Sequence, residues 1–249
     1  MTEHELKFVP ANWAAPAHVR ALTTTRTGGF SKGPYASLNP AAHVGDAAEA
    51  VTLNQGLLDS TLGLASPVRW LTQVHGNRVV TADTNSGGIE ADGSVTGQVN
   101  IVCAVLTADC LPLFLCDQAG ERVGLMHVGW RGLAAGIVSS GVRAMAVDAS
   151  DLLAWMGPAI GPKAFEVGLD VHTALATDAE TAMAFRTLPA RNKWLADLYT
   201  LTNIQLRRLG VEYVTCDVSL CTYSQPEKFF SYRRDGVCGR MASLIWKTR

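Results

Sequence analysis

The stretch VNIVCAVLTADCLPLFLCDQAGERVGLMHV, residues 99–128, decides the fold. It holds three apolar runs of strand length, at 99–107, 111–116 and 122–128. Each is short, nearly uninterrupted and rich in Val, Leu, Ile and Phe, the pattern of strands covered on both faces. The first two are broken at Ala108-Asp109-Cys110, and the last two by the turn signal DQAGE at 117–121. Residues 131–147, rich in Ala and Gly, read as a helix.

Working outward, 68–74 and 78–82 read as two strands around a turn at His75-Gly76-Asn77, and 152–156, 211–217 and 239–246 as further strands. Residues 192–209 have a helical apolar face of Trp194, Leu198, Leu201 and Ile204. The turn signals GGFSKGP (28–34), SGG (86–88) and GPAIGP (157–162) are too short to be interdomain linkers. The expectation is a single catalytic domain over 1–249, in the α+β or mixed α/β class. Its core is a layered mixed β-sheet flanked by helices, because strands and helices do not alternate strictly. No GxGxxG follows a strand and no GxxxxGK[ST] occurs, so the usual nucleotide loops are missing.

Composition narrows the function. With 21 Lys and Arg against 22 Asp and Glu, the chain has no general attraction for nucleic acid or anionic membranes. Any anionic ligand must be met by local arginines. The start MTEHELKFVPANW lacks the basic and apolar regions of a signal peptide. No run approaches the ~18 to 20 apolar residues that span a bilayer. The expected location is the cytoplasm, where the six Cys are core residues, metal ligands or nucleophiles rather than disulfide partners. No CxxC pair occurs, which argues against a closed four-Cys zinc site.

Three reactive residues fall at strand ends: His75 after LTQV, Cys110 after VLTAD and His127 after GLM. A thiolate and two imidazoles are a natural zinc set that leaves one tetrahedral position open. Separations of 35 and 17 positions do not make a compact metal motif. The same residues read equally as a Cys-His hydrolase, with Cys110 as nucleophile, His127 as base and Asp109 orienting the imidazole. A metal-bound thiolate is not a free nucleophile, so the two readings exclude each other.

At these residues the chain resembles the multicopper polyphenol oxidase or laccase-domain family, whose members are similar to purine nucleoside phosphorylases in activity. The matching segments are TTTRTGGFSKGPYASLNPAAHVGD (23–46), LTQVHGNRVV (71–80), ADGSVT (91–96), LTADCLPLFLCD (106–117), HVGWRGLAAGI (127–137), MGPAIGPKAFEVGLDV (156–171) and CTYSQPEKFFSYRRDGVCGRMASLIW (221–246). They run through nearly the whole chain in one order. The resemblance implies a fold similar to the deamidase domain of a bacterial cytotoxic toxin. It also implies one zinc ion on His75, Cys110 and His127, with copper as an alternative occupant. The implied reactions are phosphorolysis of adenosine, inosine, guanosine and methylthioadenosine to base and sugar 1-phosphate, with adenosine deamination beside it. The implied partners are a purine nucleoside and phosphate, acted on by a monomer or homodimer.

Those reactions suggest roles. Asp109, beside Cys110, is the nearest carboxylate for proton transfer, or else a turn-forming Asp. Arg26 in TTTRTGG and Arg131 at the head of the Gly-rich helix suit phosphate, or else structural ion pairs. Arg233 and Arg234 form a weaker pair. Asn39 and His43 suit a ribose or base, although Asn39 equally closes its own turn before Pro40. Gln73 and Tyr223 are candidate pocket residues, and Phe30 and Trp130 offer faces for a purine. The family name also implies copper-dependent oxidation of phenols as an alternative activity; multicopper chemistry needs many His ligands, whereas the chain has six His and no HxH or HCH.

Overall fold

In the computed structural model, residues 4–84 and 87–248 are described, so Ser86 of the expected SGG turn lies outside them. In chain order the strands and helices are β1 (Phe8–Pro10), β2 (Val19–Thr24), α1 (Ala48–Leu62), β3 (Val79–Thr81), β4 (Gly93–Thr96), β5 (Cys103–Thr107), β6 (Leu111–Asp117) and β7 (Val123–Val128). There follow α2 (Trp130–Ala135), α3 (Ile137–Met145), β8 (Leu152–Met156), β9 (Glu166–Val167), α4 (Leu169–Leu175), α5 (Ala179–Ala182), β10 (Phe185–Leu188) and β11 (Lys193–Ala196). The chain ends with α6 (Leu198–Arg208), β12 (Tyr213–Cys216), α7 (Tyr232–Asp235) and β13 (Met241–Lys247).

The class is mixed α+β, as expected. An antiparallel sheet has the order β1-β2-β13-β5, and a mixed sheet the order β12-β8-β6-β7-β4-β3. A small antiparallel sheet, β10-β11-β9, stands apart from both. The two large sheets stack face to face. Cys103 and Val105 of β5 and Ile245 of β13 meet Phe114, Cys116, Val123, Leu125 and Trp155 of the mixed sheet. Side chains alternate along each strand, so the opposite faces build further layers. Leu111, Leu113, Leu115, Met126 and Val128 pack with Ile137, Val138 and Val142 of α3 and Leu198 and Leu201 of α6. Ala104, Leu106, Ala242 and Leu244 pack with Leu58 of α1. The order is therefore helix, sheet, sheet, helices. Every residue of β5, β6, β7, β8 and β13 is buried.

Three expectations change. Residues 68–74 form no strand, and only Thr72 makes an isolated bridge, to Glu90. The segment bonds to side chains instead: the Gln73 amide pairs with both backbone groups of Leu106, and the amides of Val74, His75 and Gly76 donate to the Asp92 carboxylate. The helix expected over 131–147 is two, broken where Gly136 takes a φ of 90°. The helix expected over 192–209 begins at Leu198, because the Asp197 carboxylate caps the amides of Tyr199 and Thr200. Trp194 belongs to β11, paired with Val167 and Thr187, while Leu198, Leu201 and Ile204 do form the buried helical face. Helix α1 was not expected. Among the described residues, no helix is long and apolar enough to cross a membrane.

Candidate metal centre

The break at Ala108-Asp109-Cys110 is where the chain leaves one large sheet and enters the other. Asp109 makes the change of direction with a φ of 91°, in left-handed space where only small polar residues are common besides Gly. Cys110 thereby lands at the head of β6. On the neighbouring strand, His127 lies opposite Pro112 and Val128 opposite Leu111. By strand alternation His127 points with Val123 and Leu125 into the space between the sheets. His75 arrives on the side-chain-held turn, itself at a φ of 59°.

The Sγ of Cys110 and the ring nitrogens of His75 and His127 all lie within 4.8 Å of one another. Among the described residues this is the one group of three or more such side chains. His127 is buried, Cys110 is half-buried and His75 is exposed, so the centre opens on one side. Gly129 keeps the centre compact: a Cβ there would stand 3.1 Å from Cys110 Sγ and 3.1 Å from His75 Cδ2.

Asp92, which the sequence reading did not single out, organises the centre. It is fully buried at the entry to β4. Its Oδ1 accepts from the amide of His75 at 2.9 Å and contacts Nδ1 of His127 at 2.9 Å. Its Oδ2 accepts from Gly76 at 2.7 Å and Val74 at 3.2 Å. Four donors satisfy a charge that would otherwise be costly to bury. Burial acts to raise the Asp92 pKa, but the bonds from His127, Gly76 and Val74 together hold it below the ordinary range. Fixing Nδ1 of His127 turns Nε2 toward Cys110, the arrangement in which a carboxylate orients a metal-binding imidazole.

Burial opposes charge on the buried pair itself, but mutual attraction wins. Against desolvation, the charge and hydrogen bonds of His127 and His75 bring the Cys110 thiol down to about 6. Against the same penalty, Cys110 and Asp92 bring His127 up to about 9. In the absence of metal these opposite shifts favour a thiolate facing an imidazolium at neutral pH. A soft thiolate, two imidazoles, an oriented second layer and a cradle that a methyl group would fill together fit a metal ion.

Of the other sequence-predicted residues, the structure brings Gln73 and His43 together at one recess and engages the rest elsewhere. Gln73 and His43 line a recess of about 430 Å³ with Pro40, Trp70, Leu71 and Leu106. His43 loses proton affinity, through burial first and then through the charges of Arg240, His127 and His75. Asn39 is fully buried in holding its loop: it donates to Asp46 at 2.8 Å and Ala41 at 3.3 Å, and accepts from the amides of Ala41 and Arg240. Asp109 accepts from Thr222 Oγ1 at 2.6 Å and the Arg233 amide at 2.6 Å. Arg26 donates to the carbonyls of Ala36 and Pro226 and lies over the Phe230 ring. Arg131 is exposed and stacks on Trp130, its guanidinium 4.4 Å from the ring centroid. Tyr223 is exposed, and its carbonyl accepts from Arg234. Phe30 stacks with His4.

Residues 20–248 match the family described as multi-copper polyphenol oxidoreductase laccase. The chain belongs to this family. It is 46% identical over 240 residues to a purine nucleoside phosphorylase of Pseudomonas aeruginosa, covering 96% of this chain and 98% of that protein. It is 44% identical over 242 residues to purine nucleoside phosphorylase YfiH of Escherichia coli, with 96% and 98% covered. A crystal structure of a Neisseria meningitidis protein, 48% identical, superposes with a TM-score of 0.93 over 97% of this chain and 99% of that one. YlmD from Geobacillus stearothermophilus, 32% identical, superposes at 0.84 over 94% and 93%.

Proposed function

We propose that this family member is a zinc-dependent purine nucleoside enzyme acting as one catalytic domain in the cytoplasm. It would cleave adenosine, inosine, guanosine and methylthioadenosine with phosphate to base and sugar 1-phosphate, and would deaminate adenosine. The observation that carries the reading is the His75, Cys110 and His127 cluster oriented by Asp92, together with a recess of about 430 Å³ lined by Gln73, which precedes His75 by two positions, and by Leu106, which precedes Cys110 by four. That recess suits a nucleoside in size and in its mostly apolar lining with few polar groups. The names of the Pseudomonas and Escherichia relatives supply the substrate class.

Zinc suits the mixed nitrogen and sulfur donors, and when bound it supplies a Lewis acid with an open position. Copper is an alternative occupant of the same ligands. This chain's own groups do the rest. Asp92 holds His127 in one tautomer and, through three amides, fixes the His75 turn. His43 and Gln73 border the substrate, and Arg131 has its guanidinium available to an anion. Asn39 and Asp109 hold the loops they join, and Arg26 braces the loop at Ala36. Adenosine incubated with and without phosphate tests the reading: adenine is expected only with phosphate, and inosine in either case. Absence of both products ends it.

One observation favours a second reading. Cys110, His127 and Asp92 also form the order nucleophile, base and orienting acid, with the thiol already near 6. A Cys-His hydrolase or amidase, such as one editing a cell-wall peptide precursor, would be inactivated by alkylation of Cys110 and untouched by chelators. The zinc enzyme would lose activity to chelation and regain it with metal.

A further inference from the structure

Near the crossover between the two large sheets, one arginine has no assigned part. Arg240 precedes β13, whose first residue, Met241, pairs with Thr107 at the end of β5. Thr107 is three residues before Cys110, so Arg240 sits where the chain crosses between the sheets. Its position is fixed twice. The backbone amide donates to Asn39 Oδ1 at 3.0 Å, and Nη1 donates to the carbonyls of Cys238 at 2.9 Å and Gly239 at 3.0 Å.

The rest of the guanidinium makes no hydrogen bond, and its carbon lies 5.9 Å from the centroid of the Tyr232 ring. Among the described residues, Arg240 makes no ion pair, and its Nε and Nη2 have no hydrogen-bond partner. That edge is one of the two on which a guanidinium grips an oxyanion with parallel bonds. The other arginines of this region differ. Arg26 uses both Nε and Nη1 on carbonyls, and Arg234 is committed to three carbonyls and Asp235. Asn39, which holds the Arg240 amide, opens the loop whose Pro40, Ala42 and His43 line the recess, and the charges of Arg240, His127 and His75 all act on His43. A half-buried cation with an unused fork edge is therefore tied to the loop that carries His43 into the recess.

We propose that Arg240, acting with His43, is an oxyanion ligand of this site, in addition to Arg131, and holds inorganic phosphate next to the recess. The assignment rests on the phosphorolytic reading for its substrate, and on the geometry alone for an anion. Asn39 becomes a positioning residue, since its Oδ1 sets the Arg240 backbone.

The test titrates inorganic phosphate into the zinc-loaded full-length protein by calorimetry and measures adenine release against phosphate concentration. Wild type is compared with Arg240→Gln and Arg240→Lys. For Arg240→Gln, phosphate affinity is expected to fall about 10- to 100-fold and the phosphate KM to rise in parallel, with the adenosine KM and the phosphate-independent rate little changed. Arg240→Lys, which keeps the charge without the fork, should lose less. Phosphate binding and KM at wild-type values in a folded Arg240→Gln overturn the assignment and leave the phosphorylase reading intact. If wild type makes no adenine, that reading fails, and the calorimetry alone decides: phosphate bound by wild type and lost in Arg240→Gln supports the anion site, and no binding by wild type overturns it. Should Arg240→Gln not fold, Arg240→Lys decides, a weakened phosphate KM at unchanged adenosine KM supporting the assignment and an unchanged one overturning it.

Discussion

Asp92 and Asp109 are both buried carboxylates at the ends of strands, and each accepts hydrogen bonds through both oxygens. They serve different neighbours. Asp109 is covalently next to the ligand Cys110, yet its carboxylate reaches away from it, to Thr222 and the Arg233 amide. Asp92 is 18 residues from Cys110 in the chain, yet it bonds the ring of one ligand and the backbone of another. Nearness in sequence thus marks the carboxylate that ties the crossover to the C-terminal loops. Nearness in space marks the one that prepares the ligands.

The sharpest way to break this contrast is Asp92→Asn. An amide offers one acceptor oxygen where four donors now converge, so His127 and the His75 turn both lose definition. Zinc affinity, measured by competition with a chelator, is expected to fall about 10- to 100-fold. Affinity within twofold of wild type would mean that the backbone alone orients the ligands.

The pair that Asp92 supports gives a second, smaller effect. The Cys110 thiol at about 6 and the His127 ring at about 9 make a thiolate facing an imidazolium between those values. Binding a metal there should release about one proton, from His127, because the thiol has already lost its own. As pH falls through about 6 the thiol regains its proton, so the count should rise toward about two and affinity should drop. Calorimetry in buffers of different ionisation enthalpy reads the count directly. A neutral thiol beside a neutral imidazole would also release one proton, so the ultraviolet absorbance of the thiolate decides: none attributable to Cys110 in the metal-free protein at pH 7.5 would show that no such pair exists there.

How far the sequence carries follows from what covers each segment. β6, β7 and β8 are legible because both faces are buried, which leaves near-continuous apolar runs. His75, Cys110 and His127 are legible because reactive side chains at the ends of such strands stand out, and the family segments single out the same three. Helix α1 is not, because its buried face carries Asn54, which bonds Ser31, Phe30 and Asn39 where an apolar residue would advertise a core. The 71–76 turn is hidden for a related reason: Gln73 and Asp92 side chains replace the ladder bonds that a hairpin would make. Trp194 mimics a helical position because it precedes Leu198 by four, and only the Asp197 cap separates strand from helix. Asp92 and Arg240 open strands rather than follow them, and their partners come from distant segments, so no local pattern announces them.

The smallest effect belongs to Asp109→Asn. An asparagine can accept from the Arg233 amide through its oxygen and donate to Thr222 through its nitrogen, so both ties survive at reduced strength. The loss of charge-assisted bonding should cost about 1 kcal/mol, a fall of roughly 2–4 °C in Tm for a chain of this size. Zinc affinity should stay within about twofold, since no ligand contact changes. The turnover number discriminates the remaining roles. A residue that shapes the crossover should leave kcat within about threefold, whereas loss of a proton-transfer group typically removes about 10²- to 10⁴-fold. A fall of that size at unchanged zinc content would place proton transfer on Asp109 and erase the division of labour between the two carboxylates.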